Sequence, residues 1–144
     1  MMEPFSATAK IVGLLAATLQ VSQELCSLIS RFRQSSTELE QLRGEVEALT
    51  KVVTQIQTWS PIYSSSNNPG EAFNAMQVGL EILFRDIAKV RDTIERCVAK
   101  NNRVFGKVRT RWRSFLREGE ISEMATRLMH HKTTLHLAFS VVSG

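Results

Sequence analysis

Proline and cysteine are both scarce in this chain. Three prolines in 144 residues leave long stretches without a helix breaker. Two cysteines, Cys26 and Cys97, are too few for a disulfide framework. Both fall at apolar helical positions and read as buried thiols of a cytosolic protein. Catalytic signatures are missing too: no Gly-rich phosphate loop, no G-x-S-x-G elbow, no H-E-x-x-H and no cysteine pairs at zinc spacing. The chain therefore reads as no enzyme, with no cofactor. His130, His131 and His136 are the only histidines. The last two are five apart and diverge by more than a quarter turn on a helix. No carboxylate or cysteine joins them at ligand spacing, which argues against a metal site. His131 is instead expected to pack at a heptad position while His130 faces solvent. Strand-like alternation of useful length is absent, and so is a convincing internal repeat.

What is present is enough apolar residue for a core. At 144 residues the chain reads as one domain, 1–144. A domain of this size hides roughly 70% of its unfolded surface. The net charge of +4 is distributed unevenly. Residues 1–99 carry nine Lys/Arg against eleven Asp/Glu, whereas residues 100–117 carry seven basic side chains and no acid. The surplus is thus one local block.

Four helical stretches emerge from the spacing of apolar residues. The first runs from about Phe5 to Phe32, with Ile11, Leu14, Leu15, Leu19, Val21, Leu25, Leu28 and Ile29 in a stripe wider than a two-position seam. That width predicts burial on most sides. The second, from about Ser36 to Trp59, places Leu39, Leu42, Val46, Leu49, Val53 and Ile56 at alternating steps of three and four. A Ser-, Asn- and Pro-rich connection, SPIYSSSNNPG, follows. The third helix, about Glu71 to Lys100, keeps the same alternation from Phe73 through Met76, Leu80, Leu83, Ile87, Val90 and Ile94 to Cys97. The fourth region is divided by Gly119 into a basic amphipathic helix, RVFGKVRTRWRSFLR, and a last helix carrying Ile121, Met124, Leu128, Leu135, Ala138 and Val142. The fold expected is all-α, an antiparallel bundle of four to five helices with mostly antiparallel neighbours.

Two segments carry functional weight. The run Ile11–Val21 has no charge, but only thirteen residues separate Lys10 from Glu24. A hydrocarbon core asks for about 20, so this is not an ordinary transmembrane helix. Glu3 at the front and an amphipathic pattern continuing to Phe32 argue against a signal peptide. The segment reads as a central bundle helix at rest. Ala9, Gly13 and Ala17, four apart, add a small-residue stripe of the kind that lets helices approach closely. The second segment is the basic block. Arg103, Lys107, Arg109, Arg111, Arg113 and Arg117 flank Trp112 and Phe115 and suit phosphate groups, of anionic lipid or of nucleic acid. Nucleic acid is the poorer match, because no recognised nucleic-acid-binding pattern accompanies the charge.

The opening MEPFSATAKIVGLLAATLQVSQELCSLISRFRQSSTELEQLRGEVEALTKVV resembles the fungal HeLo-like family, the N-terminal domains of NOD-like (STAND) receptors and related proteins. Members begin Met-acid-Pro-hydrophobic-Ser, then a small-residue-rich helix, a polar break and a Leu-spaced second helix. The end, EISEMATRLMHHKTTLHLAFSVV, fits as well, through Ile121, Leu128, Lys132, Leu135, Leu137 and Ala138. The resemblance covers essentially the whole chain. It implies a bundle similar to the four-helix domain of the mixed-lineage kinase-like pseudokinase and to the coiled-coil domains of some plant immune receptors. It further implies a cell-death effector, triggered by a receptor, that self-associates and permeabilises the plasma membrane. Phe5, Ala9, Ile11, Val12, Gly13, Leu14, Leu15, Ala17 and Leu19 would then belong to the membrane-inserting segment. Met1 stands before the family-like start at Met2, and the chain stops at Ser143-Gly144 where a member would continue into a regulatory module. An excised domain and a stand-alone protein both fit.

Three readings follow. The first is a domain cytoplasmic at rest that oligomerises, moves to the plasma membrane and binds anionic lipid. Its partners would be copies of itself and an upstream receptor or C-terminal regulatory module. The second is a non-lytic protein–protein interaction module of a STAND-type or ankyrin-repeat protein. The third, an RNA- or DNA-associated helical protein, rests on the basic block alone.

Overall fold

The computed structural model describes residues 4–31, 37–59, 70–105 and 119–143, and these form four α-helices: α1 Pro4–Ser30, α2 Thr37–Gln57, α3 Gly70–Phe105 and α4 Glu120–Ser143. No strand occurs among them. The all-α bundle expected from periodicity is the observed fold. Local chemistry sets the helix ends. Glu38 and Glu40 lie in the first turn of α2, and Glu120 and Glu123 in that of α4, where carboxylates offset the positive end of the helix dipole. Gly119 precedes α4 with φ +83°, which a side chain would strain. Its carbonyl accepts the Glu123 amide at 2.9 Å, the first bond of the helix. At the other end of α2, Thr58 N bonds Thr54 O and Trp59 N bonds Ile56 O, both at 3.0 Å.

The seams read from spacing are the core. In α2, Leu39, Leu42, Val46, Leu49, Val53 and Ile56 are all buried. In α3, Met76, Leu80, Leu83, Ile87, Val90, Ile94 and Cys97 are buried. Each such side chain contributes about 1.5–3 kcal/mol on leaving water. From α4 come Ile121, Met124, Ala125, Leu128, Leu135 and Phe139. The Phe139 ring meets Trp59 edge-on, with centroids 5.5 Å apart.

The arrangement of helices departs from the expectation of mostly antiparallel neighbours. Helix α1 packs against α2 and α3, and α4 packs against the same two. Helices α2 and α3, consecutive in the chain, thus lie across the diagonal of the bundle. Six residues join α1 to α2, so that pair must be antiparallel. Yet Lys10 pairs with Glu81, and Glu24 with Arg91, so α1 and α3 ascend together. Likewise Glu45 pairs with Lys132 and Trp59 with Phe139, so α2 and α4 descend together. Two of the four lateral contacts are parallel.

Two other expectations need correction. Helix α3 runs on to Phe105 and absorbs Arg103, Val104 and Phe105, which were assigned to a separate basic helix. The rest of that basic helix, and residues 60–69 of the expected loop, lie outside the described residues. Helix α1 is not buried on most sides. It occupies a corner of the bundle, and only 39% of its most apolar window is buried.

Candidate functional site

The corner position divides the residues of α1. Its inward seam is Ile11, Leu15, Thr18, Ser22, Leu25 and Ile29, at steps of four and three, joined by Val21. Of the residues assigned to the membrane-inserting segment, Ile11 and Leu15 are wholly buried there. Val12, Leu14, Ala17 and Leu19 are half-buried on the flanks, and Ala9 and Gly13 face solvent. Phe5 lies in the helix, but its side chain is outside the described part. The small-residue stripe therefore does not form a close helix contact in this fold. A Cβ built on Gly13 meets nothing within 4 Å.

The two charges that bound the apolar run fasten it to α3. Lys10 Nζ lies 2.9 Å from Glu81 Oε1. Hydrogen bonds from Lys10 and then Gln77 hold the Glu81 carboxyl below its ordinary range. Fourteen residues later, Arg91 donates to Glu24 Oε2 at 3.2 Å and to Asp92 Oδ1 at 3.1 Å. These contacts, Asp92 foremost, raise the Arg91 pKa. The apolar segment is thus clamped near both ends by ion pairs on the solvent-facing rim. With Lys10 and Glu24 both tolerated, the stretch extends over Ala9–Ser30, 22 residues of mean hydropathy 1.4, and is long enough by length and composition to cross a membrane.

Towards α2 the contacts become small and polar. A groove of about 510 Å³ lies there, lined by Ser22, Cys26, Ser30, Arg43, Glu47 and Thr50 among others. Burial pushes the Cys26 thiol up, Glu47 adds to this and Arg43 opposes it, so Cys26 resists ionisation. Thr18 and Ser22 are both fully buried polar residues. Ser22 Oγ donates to Thr18 O at 2.8 Å, while Thr18 Oγ1 has no hydrogen-bond partner. Sequence reading passed over this pair, although the four-three spacing places both on the seam.

Helix α4 carries a second polar contact. As expected, His131 packs against the bundle, half-buried beside the seam, and its Nε2 lies 2.8 Å from Asp86 Oδ2, which also accepts Arg127 Nε at 3.3 Å. His130 and His136 are exposed. Among the described residues no three His, Cys, Asp or Glu side chains are grouped to hold a metal ion.

Arg103 belongs to the last turn of α3, while Lys107, Arg109, Arg111, Arg113 and Arg117 lie outside the described residues. Lys10 is level with Glu81, and Arg103 is 22 residues further along α3, about 33 Å at 1.5 Å per residue. The start of α1 and the start of the basic block are at opposite ends of the bundle.

Comparison with known proteins gives one match. The family model described as pigment biosynthesis cluster protein PigL N-terminal matches residues 2–143. It is a fungal N-terminal domain related to the HeLo-like domains, which the match does not name directly. No curated protein and no solved structure matches the chain.

Proposed function

The chain belongs to the family of N-terminal domains of pigment biosynthesis cluster protein PigL, and from that premise we propose that it is a non-enzymatic effector domain of fungal programmed cell death that permeabilises membrane through α1. The observation that carries the reading is the state of α1. A 22-residue helix apolar enough, by length and composition, to cross a membrane is held at a corner of the bundle, with 39% of its window buried. Release would require two rim ion pairs to break and five buried aliphatic side chains, Ile11, Leu15, Val21, Leu25 and Ile29, to leave the core.

In this reading the domain is cytoplasmic at rest, with α1 packed. An upstream receptor, or a regulatory module C-terminal to the domain, brings copies together. The apolar residues left exposed, among them Leu137 (62%) and Val141 (69%) on α4, offer surface for self-association. Arg103, Lys107, Arg109, Arg111, Arg113 and Arg117 then draw the assembly to anionic lipid at the plasma membrane. Each basic residue near such a surface contributes about 1 kcal/mol. Nucleic acid has no part in it.

Dye leakage from neutral and anionic vesicles tests this, with the intact chain and with Gly13→Glu, both under forced oligomerisation. Open space around Gly13 lets the substituted bundle fold. Leakage from anionic vesicles that the substitution abolishes supports the reading. If neither vesicle leaks, the domain is a non-lytic interaction module. That second reading draws on the same exposed apolar surface.

A further inference from the structure

Thr18 is out of place. The seams of α2 and α3 are made wholly of apolar side chains and a cysteine, and the half-buried polar residues beside the seam of α4, His131 and Lys132, have Asp86 and Glu45 as partners. The middle of the α1 seam is instead two consecutive hydroxyl residues, Thr18 and Ser22, each fully buried. Thr18 Oγ1 is the single buried side-chain nitrogen or oxygen without a hydrogen-bond partner among the described residues.

We propose that Thr18 and Ser22 form a built-in weak layer that sets how readily α1 leaves the bundle. This inference rests on the reading of α1 as a releasable helix and names what regulates its release. A hydroxyl in water is fully hydrogen-bonded, and one buried without a partner forfeits those bonds. The loss is recovered once α1 comes away into water, so the hydroxyl favours the water-exposed, released helix. Ser22 adds to the effect. Its hydroxyl bonds the carbonyl of Thr18 one turn back, a contact that loosens and bends helices. Ser22 also lines the groove towards α2. Ile11 and Leu15 on one side, and Leu25 and Ile29 on the other, anchor the helix around it. A wholly apolar seam would hold α1 as firmly as α2 and α3 are held, and the domain would be locked at rest.

Hydrogen exchange of the intact chain in solution, without lipid, tests the layer separately from any membrane event. Thr18→Val removes the hydroxyl and keeps the shape. It is expected to slow opening of the α1 amides about tenfold relative to α2 and α3, equivalent to about 1.4 kcal/mol. Thr18→Ser keeps the hydroxyl and is expected to give no slowing. Under forced oligomerisation, Thr18→Val should also delay leakage from anionic vesicles. The inference is overturned if Thr18→Val leaves α1 exchange unchanged, if it slows all four helices alike, or if Thr18→Ser slows α1 as much. Selective slowing by Thr18→Val in a protein that never causes leakage upholds the layer and removes the membrane reading.

Discussion

Gly13 and Leu83 mark the two extremes of what a single side chain contributes here. Gly13 is exposed on α1 with open space around it, so a methyl group there meets nothing and relieves the backbone entropy cost of a mid-helix glycine. Gly13→Ala should raise unfolding stability by about 0.5–1 kcal/mol, read as a higher denaturant midpoint with unchanged slope. Leu83 is wholly buried in the α3 seam, and Leu83→Ala should lower stability by about 2–5 kcal/mol in the same titration. Both positions were legible in the sequence in different degrees. Leu83 lies in a strict three-four alternation, and spacing alone identifies it. Gly13 looked like part of a helix-contact stripe, because small residues at steps of four serve that purpose in many bundles. Its outward orientation depends on α1 being at a corner, which no local pattern encodes. Thr18 and Ser22 were missed for the converse reason: hydroxyl residues do not register as core when apolar residues are being counted, although their positions continue the seam.

At the scale of elements, α2 and α3 were readable almost residue by residue, since amphipathic helices declare their buried face. The limits of α3 were not, because the charges of Lys100 and Arg103 marked a change of composition while the helix itself continues to Phe105. Pairing between helices was also hidden. Nothing local says that Lys10 meets Glu81, or that α2 and α3 lie across the diagonal. That pairing has a pH signature. The folded Glu81 carboxyl sits below its ordinary value of 4.5. Its contribution is therefore whole above that value and is lost as pH falls through the lower, folded one. Amides in the first half of α1 should exchange faster, relative to those of α2, as pH drops below about 4.5, and Glu81→Gln should abolish that difference. A pH dependence of α1 that survives Glu81→Gln would assign the clamp elsewhere. The contact between α3 and α4 answers differently to substitution. Asp86 is 14% exposed and has both His131 and Arg127 on one oxygen. Asp86→Ala leaves the half-buried histidine without its partner and should cost about 1–3 kcal/mol, with the loss of exchange protection concentrated in α4.

For the whole molecule, the separation of the two candidate segments constrains any membrane mechanism. A bundle drawn to anionic lipid through Arg103 approaches with the Phe105 end of α3 foremost. The first turns of α1 are then about 33 Å away, at the far end. So long as α1 stays packed on α3, a bundle standing on headgroups at the Arg103 end holds those turns in water, on the side away from the lipid. Either α1 comes away from α3 or the membrane is not entered. Joining the two helices distinguishes binding from entry. In a chain with Cys26→Ala and Cys97→Ala, cysteines introduced by Lys10→Cys and Glu81→Cys can be bridged by a short bifunctional thiol reagent, since the native side chains meet at 2.9 Å. The bridged protein should bind anionic vesicles as the unbridged one does, with the same salt dependence, because the basic block is untouched. It should cause no leakage, and leakage should return when a reducible bridge is cleaved. If the bridged protein leaks vesicles as fast as the free one, α1 does not need to leave α3, and the helix at the corner is a core element of the bundle.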